Sequence, residues 1–101
     1  TGATGIETLL SLSLELYHNG SVKLEKIIAA LTSNPAKILK INKGNLSVGN
    51  DADFCIVDIN KPWIVKQENL VSKSKNTSIE NKRLQGKVTN TYVKGQELYN
   101  I

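Results

Sequence analysis

Cysteine, histidine and aromatic residues are scarce in this 101-residue chain, which has one Cys, one His, one Trp, one Phe and three Tyr. A single cysteine excludes an internal disulfide framework and fits a reducing compartment, the cytoplasm. A single histidine, His18, excludes a His-rich zinc site, because hydrolytic zinc needs three or more protein ligands drawn chiefly from His, Cys and carboxylate. No apolar stretch approaches the ~20 residues of a membrane span, and no cleavable signal pattern precedes one. There is no Gly-x-Ser-x-Gly elbow to present a nucleophile, no internal repeat and no low-complexity tract. Aromatics are too few to interleave with the basic residues. The net charge of +4, with its local cluster at Lys73, Lys75, Lys82 and Arg83, therefore reads as a solvated basic face rather than a nucleic-acid footprint.

What is present suits one small soluble domain, with 40% hydrophobic and 22% charged residues. Such a domain buries only about 60–70% of the surface its unfolded chain exposes, so a missing element would be felt. The stretch "GIETLLSLSLELYHNG" fits two periods. Leu10, Leu12, Leu14 and Leu16 alternate as in a strand, whereas Ile6, Leu9, Leu10, Ser13, Leu14 and Tyr17 share a helical face. Its unbroken length decides for a helix over residues 5–19. Thr4 is the expected N-cap, with Glu7 completing a capping box, and Gly20 in "HNG" is the expected stop. Ser21 is placed to cap a second helix carrying Leu24, Ile27, Ile28 and Leu31, which "TSNP" should end. Pro35 can open a third short helix, "PAKILKI".

After Gly44 the period changes. "DFCIVDI" reads as a buried strand, "WIV" as a short one, and "KVTNTYVKG" as a longer one that "KGQ" turns back into "ELYNI". "VSKSKNTSIENKRLQG" between them reads as a polar loop. The fold class is thus α+β, with two to three helices in residues 1–43 followed by a small antiparallel β unit in residues 44–101.

In "GNDADFCIVDINKPW" the acids Asp51, Asp53 and Asp58 surround the cysteine. A carboxylate-only metal site needs six or more clustered oxygens, and the alternating Ca²⁺-loop signature is not met. Turn chemistry accounts for these acids, since Asp bonds nearby backbone amides and marks strand edges. Cys55, between Phe54 and Ile56, reads as an inert core thiol, and His18 as a last-turn residue favourable to the helix dipole. The residues by themselves yield no self-contained active site.

The order of motifs nonetheless resembles a known family. "GATGIET", "LTSNPAKIL", "KGNLSVGNDADFCIVD", "SKSKNT" and "LQGKVTNTYVKGQELY" together are similar to the carboxy-terminal part of the dihydroorotases, cyclic amidohydrolases of pyrimidine biosynthesis. The resemblance spans Thr1 to Tyr99. It implies a (β/α)₈ barrel carrying a small β-sandwich built from both chain ends, with residues 5–19 resembling the helix after the last barrel strand and residues 44–99 the carboxy-terminal share of the sandwich. It also implies zinc-dependent, reversible opening of dihydroorotate to N-carbamoyl-aspartate. The family's His-x-His pair, bridging carboxylated Lys, two further His and catalytic Asp match no position here, so no catalytic or metal residue is assigned and no cofactor is expected in this chain.

Thr1 and Gly2 match the tail of the family's substrate loop and are the substrate-binding candidates. Ser78, Ile79 and Asn81 stand where the family often has Pro, Phe and Gly. The expectation is a carboxy-terminal segment, from a split or truncated gene or a partial chain, inactive alone and paired with the missing barrel portion. The alternative is an assembly module or a degraded remnant. A module would offer the apolar faces at Leu9, Leu10, Leu14, Ile27, Ile28 and Leu31 to a partner, such as an aspartate carbamoyltransferase-like subunit. Neither nucleic acid nor membrane is an expected partner.

Overall fold

Two helices cover one face of a five-stranded antiparallel sheet whose strands lie in chain order. The computed structural model describes residues 3–32, 36–66 and 81–101. Helix α1 spans Ala3–His18 and α2 spans Leu24–Leu31. The strands are β1 Lys37–Asn42, β2 Asn45–Gly49, β3 Phe54–Ile64, β4 Arg83–Val93 and β5 Gln96–Asn100.

Helix α1 ends as "HNG" predicts. Gly20 takes φ +83°. The Ser21 N–H reaches back to Leu16 O at 2.8 Å and the Gly20 N–H to Tyr17 O at 3.0 Å. This double closure satisfies carbonyls that the helix end would otherwise orphan. The other caps differ from expectation. Because α1 already begins at Ala3, Thr4 lies inside it, and Glu7 turns its carboxylate to Lys87. Residue Lys23, not Ser21, occupies the N-cap of α2, and no side chain caps it.

The third helix is not formed. Residues Lys37–Asn42 are instead the first strand, paired antiparallel with β2 so that Ile38 faces Val48 and Lys40 faces Leu46. In "KILKIN" the apolar spacing is too short to separate the two periods, and ladder bonds to β2 decide it. The sheet thus begins inside the segment, residues 1–43, read from sequence as helical. Residues 33–35, where "TSNP" was expected to stop α2, lie outside the described residues, as does the expected polar loop through residue 80; its last four residues, Arg83–Gly86, are strand β4 instead of loop.

Strand β3 is one element where two were expected, and Asp58 lies within it rather than at its end. Its register against β4 shifts between Asp58 and Pro62. β2 pairs only with Phe54–Asp58, so Pro62 sits where β3 has β4 alone beside it, a place where its missing N–H is tolerated. The β4–β5 hairpin forms as read, turning at Lys94 and Gly95, both with positive φ.

Leu10, Leu14, Ile28, Leu46, Val48, Val57 and Ile59 form the core between helices and sheet, with Tyr17, Leu24, Ile38 and Cys55 packed at its margin. Of the helical residues expected to face a partner, Leu10, Leu14, Ile27 and Ile28 are buried within this chain, while Leu9 is exposed. The sheet is the broad surface those two apolar faces need.

Candidate functional site

The densest polar cluster lies in the seam between α1 and β4. Glu7, Ser11 and Leu14 fall on one helical stripe and meet Lys87 and Gly86 of β4. Lys87 Nζ donates to Glu7 Oε2 at 3.0 Å, with side chains only 21% and 12% exposed. The same ammonium stands 4.7 Å from the centre of the Trp63 ring, within cation–π range. Trp63 Nε1–H is shared between Ser11 Oγ at 2.9 Å and Gly86 O at 2.8 Å. The Ser11 hydroxyl itself donates to Gly86 O. Three segments far apart in sequence are thereby tied by one polar network, and the described residues contain no buried side-chain polar atom without a partner.

Glycine at 86 makes the close approach possible. A Cβ there would lie 2.4 Å from Leu14 Cδ1, on a backbone with φ +111°. Composition and spacing did not single out Trp63, Ser11 or Lys87. The visible signal was that "GIET" and "LQGKV" both belong to the resemblance, and the structure brings those two stretches into contact.

The opening acids are used separately. Asn50 Oδ1, rather than Asp51, shapes the β2–β3 turn by accepting the N–H groups of Ala52 and Asp53 at 3.0 and 2.8 Å. Asp51 is highly exposed and makes a 3.8 Å ion pair with Lys37. Asp53 Oδ1 accepts the Lys94 N–H at 2.9 Å, and Asp58 Oδ1 the Asn60 N–H at 2.9 Å. Asp53 and Asp58 thus each hold a backbone N–H, whereas Asp51 makes only the exposed ion pair.

His18 has a role that its position in the last turn did not indicate. Its Nε2 lies 2.8 Å from Ile59 O, linking the end of α1 to β3. Its ring borders two clefts, of about 620 Å³ beside Glu15 and Arg83 and about 560 Å³ beside Lys40, Lys43 and Asn60. Cys55 is half-buried. Burial pushes its thiol pKa up, and the Glu7 carboxylate adds to the shift, which disfavours the thiolate that nucleophilic or metal chemistry would use. Among the described residues no group of three or more His, Cys, Asp or Glu could hold a metal ion. The zinc that the resemblance implies therefore finds no ligand set among these residues. Thr1 and Gly2 lie outside the described residues, directly before α1.

Asn81, which the resemblance sets where Gly is common, takes φ +64°, a left-handed conformation that Asn adopts more readily than most residues. Its N–H donates to Val65 O at 2.8 Å, and Lys66 Nζ reaches its Oδ1 at 3.2 Å.

Comparison with known proteins agrees with this pattern. Residues 2–98 match the model of the amidohydrolase family. The chain is 43% identical over 98 residues to dihydroorotases of Ehrlichia canis and Aquifex aeolicus; in each case this covers 97% of the chain, but only 22% and 23% of those proteins. It thus spans about a fifth of the length of the curated relatives it matches. A solved D-hydantoinase structure superposes with a TM-score of 0.62 at 19% identity, covering 90% of this chain and 20% of that one. This likeness bears on the fold alone. The chain belongs to the amidohydrolase family and corresponds to a carboxy-terminal segment of the dihydroorotases.

Proposed function

We propose that this chain is the scaffold part of a zinc-dependent dihydroorotase that interconverts dihydroorotate and N-carbamoyl-aspartate in the cytoplasm. The observation that carries this reading is the 43% identity to a dihydroorotase over nearly the whole chain. In this reading the metal ligands, the metal-activated nucleophile and the proton-handling Asp belong to a barrel portion outside these residues. α1 is the helix after the last barrel strand, α2 leads out of that barrel, and the sheet is the carboxy-terminal share of a small β-sandwich. Thr1 and Gly2 close the substrate loop, and α1 anchors that loop to the sheet.

The partner proposed is that barrel portion. Leu39 and Ile41 on edge strand β1, and Leu98 and Tyr99 on edge strand β5, are exposed. Open strand edges with apolar side chains are surfaces that soluble proteins normally cover. The test is co-expression of this chain with the Ehrlichia canis dihydroorotase truncated to lack the matching span, followed by assay of carbamoyl-aspartate cyclisation. Activity that requires both pieces is expected. Co-purification without any turnover would argue instead for an assembly module, and the aspartate carbamoyltransferase-like partner would then be tried in pull-down.

A further inference from the structure

We infer that Glu7, Lys87 and Trp63 form a positioning unit that orients the amino-terminal half of α1, and with it the segment entering the helix. This inference rests on the functional reading above. Three features of the seam carry it. First, the other ion pairs among the described residues are well exposed, Lys37–Asp51 at 79% and 94% and Lys82–Glu15 at 44% and 49%, while Lys87–Glu7 is largely shielded. Second, Lys87 has two ligands at once, a carboxylate and an aromatic face, so its position is fixed in two directions. Third, the ring that supports it is itself fixed by Ser11 and Gly86 through its N–H.

A shielded ion pair adds little net stability over an apolar pair of similar size, because desolvation offsets the attraction. The apolar packing of Leu10 and Leu14 already attaches the helix to the sheet. What the charged pair adds is direction. Apolar contacts allow a helix to slide or roll by a fraction of a turn, whereas a carboxylate held by one ammonium over one ring sets the rotation. Glu7 lies near the end of α1 that follows Thr1 and Gly2, so an error in rotation there is passed to the entering segment by chain continuity. In the functional reading above Thr1 and Gly2 help to hold substrate, so misorienting them weakens substrate binding.

The experiment uses two materials. In the first, the matching span of the Ehrlichia canis dihydroorotase is replaced by this chain, and kcat and KM for dihydroorotate are measured. Glu7→Gln and Lys87→Met are expected to raise KM about tenfold with kcat changed by less than about twofold, the pattern of lost substrate positioning. Lys87→Arg, which keeps both the pair and the ring contact, should stay near the parent. Unchanged KM in both neutral variants of an active chimera would overturn the inference and leave the functional reading standing.

In the second, amide hydrogen exchange is followed on the 101-residue chain itself. Glu7→Gln should speed exchange in the first half of α1 by about tenfold while α2 and β2 keep their protection. An inactive parent chimera would count against the functional reading, and the exchange experiment would then decide the inference. Unaltered protection in α1 would sink it.

Discussion

Asp53, immediately before β3, holds the N–H of Lys94 in the β4–β5 turn, 2.9 Å from its Oδ1. Beside it the Gly95 N–H donates to Ala52 O at 3.1 Å. Two turns 41 residues apart are thereby joined at one end of the sheet, and Lys94 is held in a left-handed conformation at φ +51°. A strained non-glycine turn persists only where its surroundings over-determine it. The carboxylate supplies that determination.

Removing it should therefore be costly for an exposed side chain. Asp53→Ala is expected to lose about 1–2 kcal/mol, the range for a charge-assisted bond to a backbone N–H. Asp51→Ala, which removes a long and exposed ion pair, should stay within about 0.5 kcal/mol. Urea midpoints of the two variants measured together make the comparison. Equal losses would mean that the acids act by charge rather than by the turn they hold.

The seam at Gly86 is the least forgiving position. Gly86→Ala would place a methyl 2.4 Å from Leu14 Cδ1, and Leu14 is fully buried. The added methyl must displace helix α1, and the positive φ adds strain of its own. Together these should cost about 3 kcal/mol or more. Gly95→Ala meets open space and carries only the conformational part, about 1 kcal/mol. Thermal unfolding of the two variants separates packing from backbone strain.

How much of this was legible in sequence depends on how local each signal is. The stop of α1 and the β4–β5 hairpin are set by residues within a turn of each other, Gly20 in one and Lys94-Gly95 in the other, and both were readable. β1 is ambiguous in sequence because the six residues of "KILKIN" satisfy either period, and its strand state comes from pairing with β2. The joining of "DFCIVDI" to "WIV" was hidden by Pro62, which is tolerated because β2 is too short to pair with that half of β3. In the candidate site, Glu7 stands out in the sequence, but the local pattern suggests only a capping partner. Its actual partner lies 80 residues away, beyond the reach of any periodicity. Asn81 is legible only as a departure from the Gly that the resemblance sets there, and it takes a left-handed φ of +64°, which Asn tolerates better than most residues.

The pH dependence follows from Cys55. Burial first, then the Glu7 carboxylate, raises its thiol pKa, so the folded chain keeps this proton at pH values where the unfolded chain has released it. The stabilising contribution is complete below the unfolded value of about 8.5 and is lost as pH rises through the higher folded value. Stability of the parent should therefore fall more steeply than that of Cys55→Ala between about pH 8 and pH 10. Paired urea titrations across that window test this. Lysine and tyrosine ionisation is common to both proteins and cancels in the difference.

Trp63 is the last position at which network and packing can be separated. Trp63→Phe keeps most of the apolar ring under Lys87 but removes the N–H that Ser11 Oγ and Gly86 O share. Gly86 O still receives the Ser11 hydroxyl, so no buried acceptor is left empty, and the loss should be about 1–2 kcal/mol, partly from the smaller ring. Ser11→Ala removes the hydroxyl but leaves the Trp63 N–H on Gly86 O, and should cost about 1 kcal/mol. The double variant leaves the buried Gly86 O without either side-chain donor. Its loss should exceed the sum of the two single losses by about 1 kcal/mol or more, the coupling expected of donors that back each other up on one acceptor. Strict additivity in a double-mutant cycle would show instead that water enters the seam and that α1 is not sealed against β4 at this point.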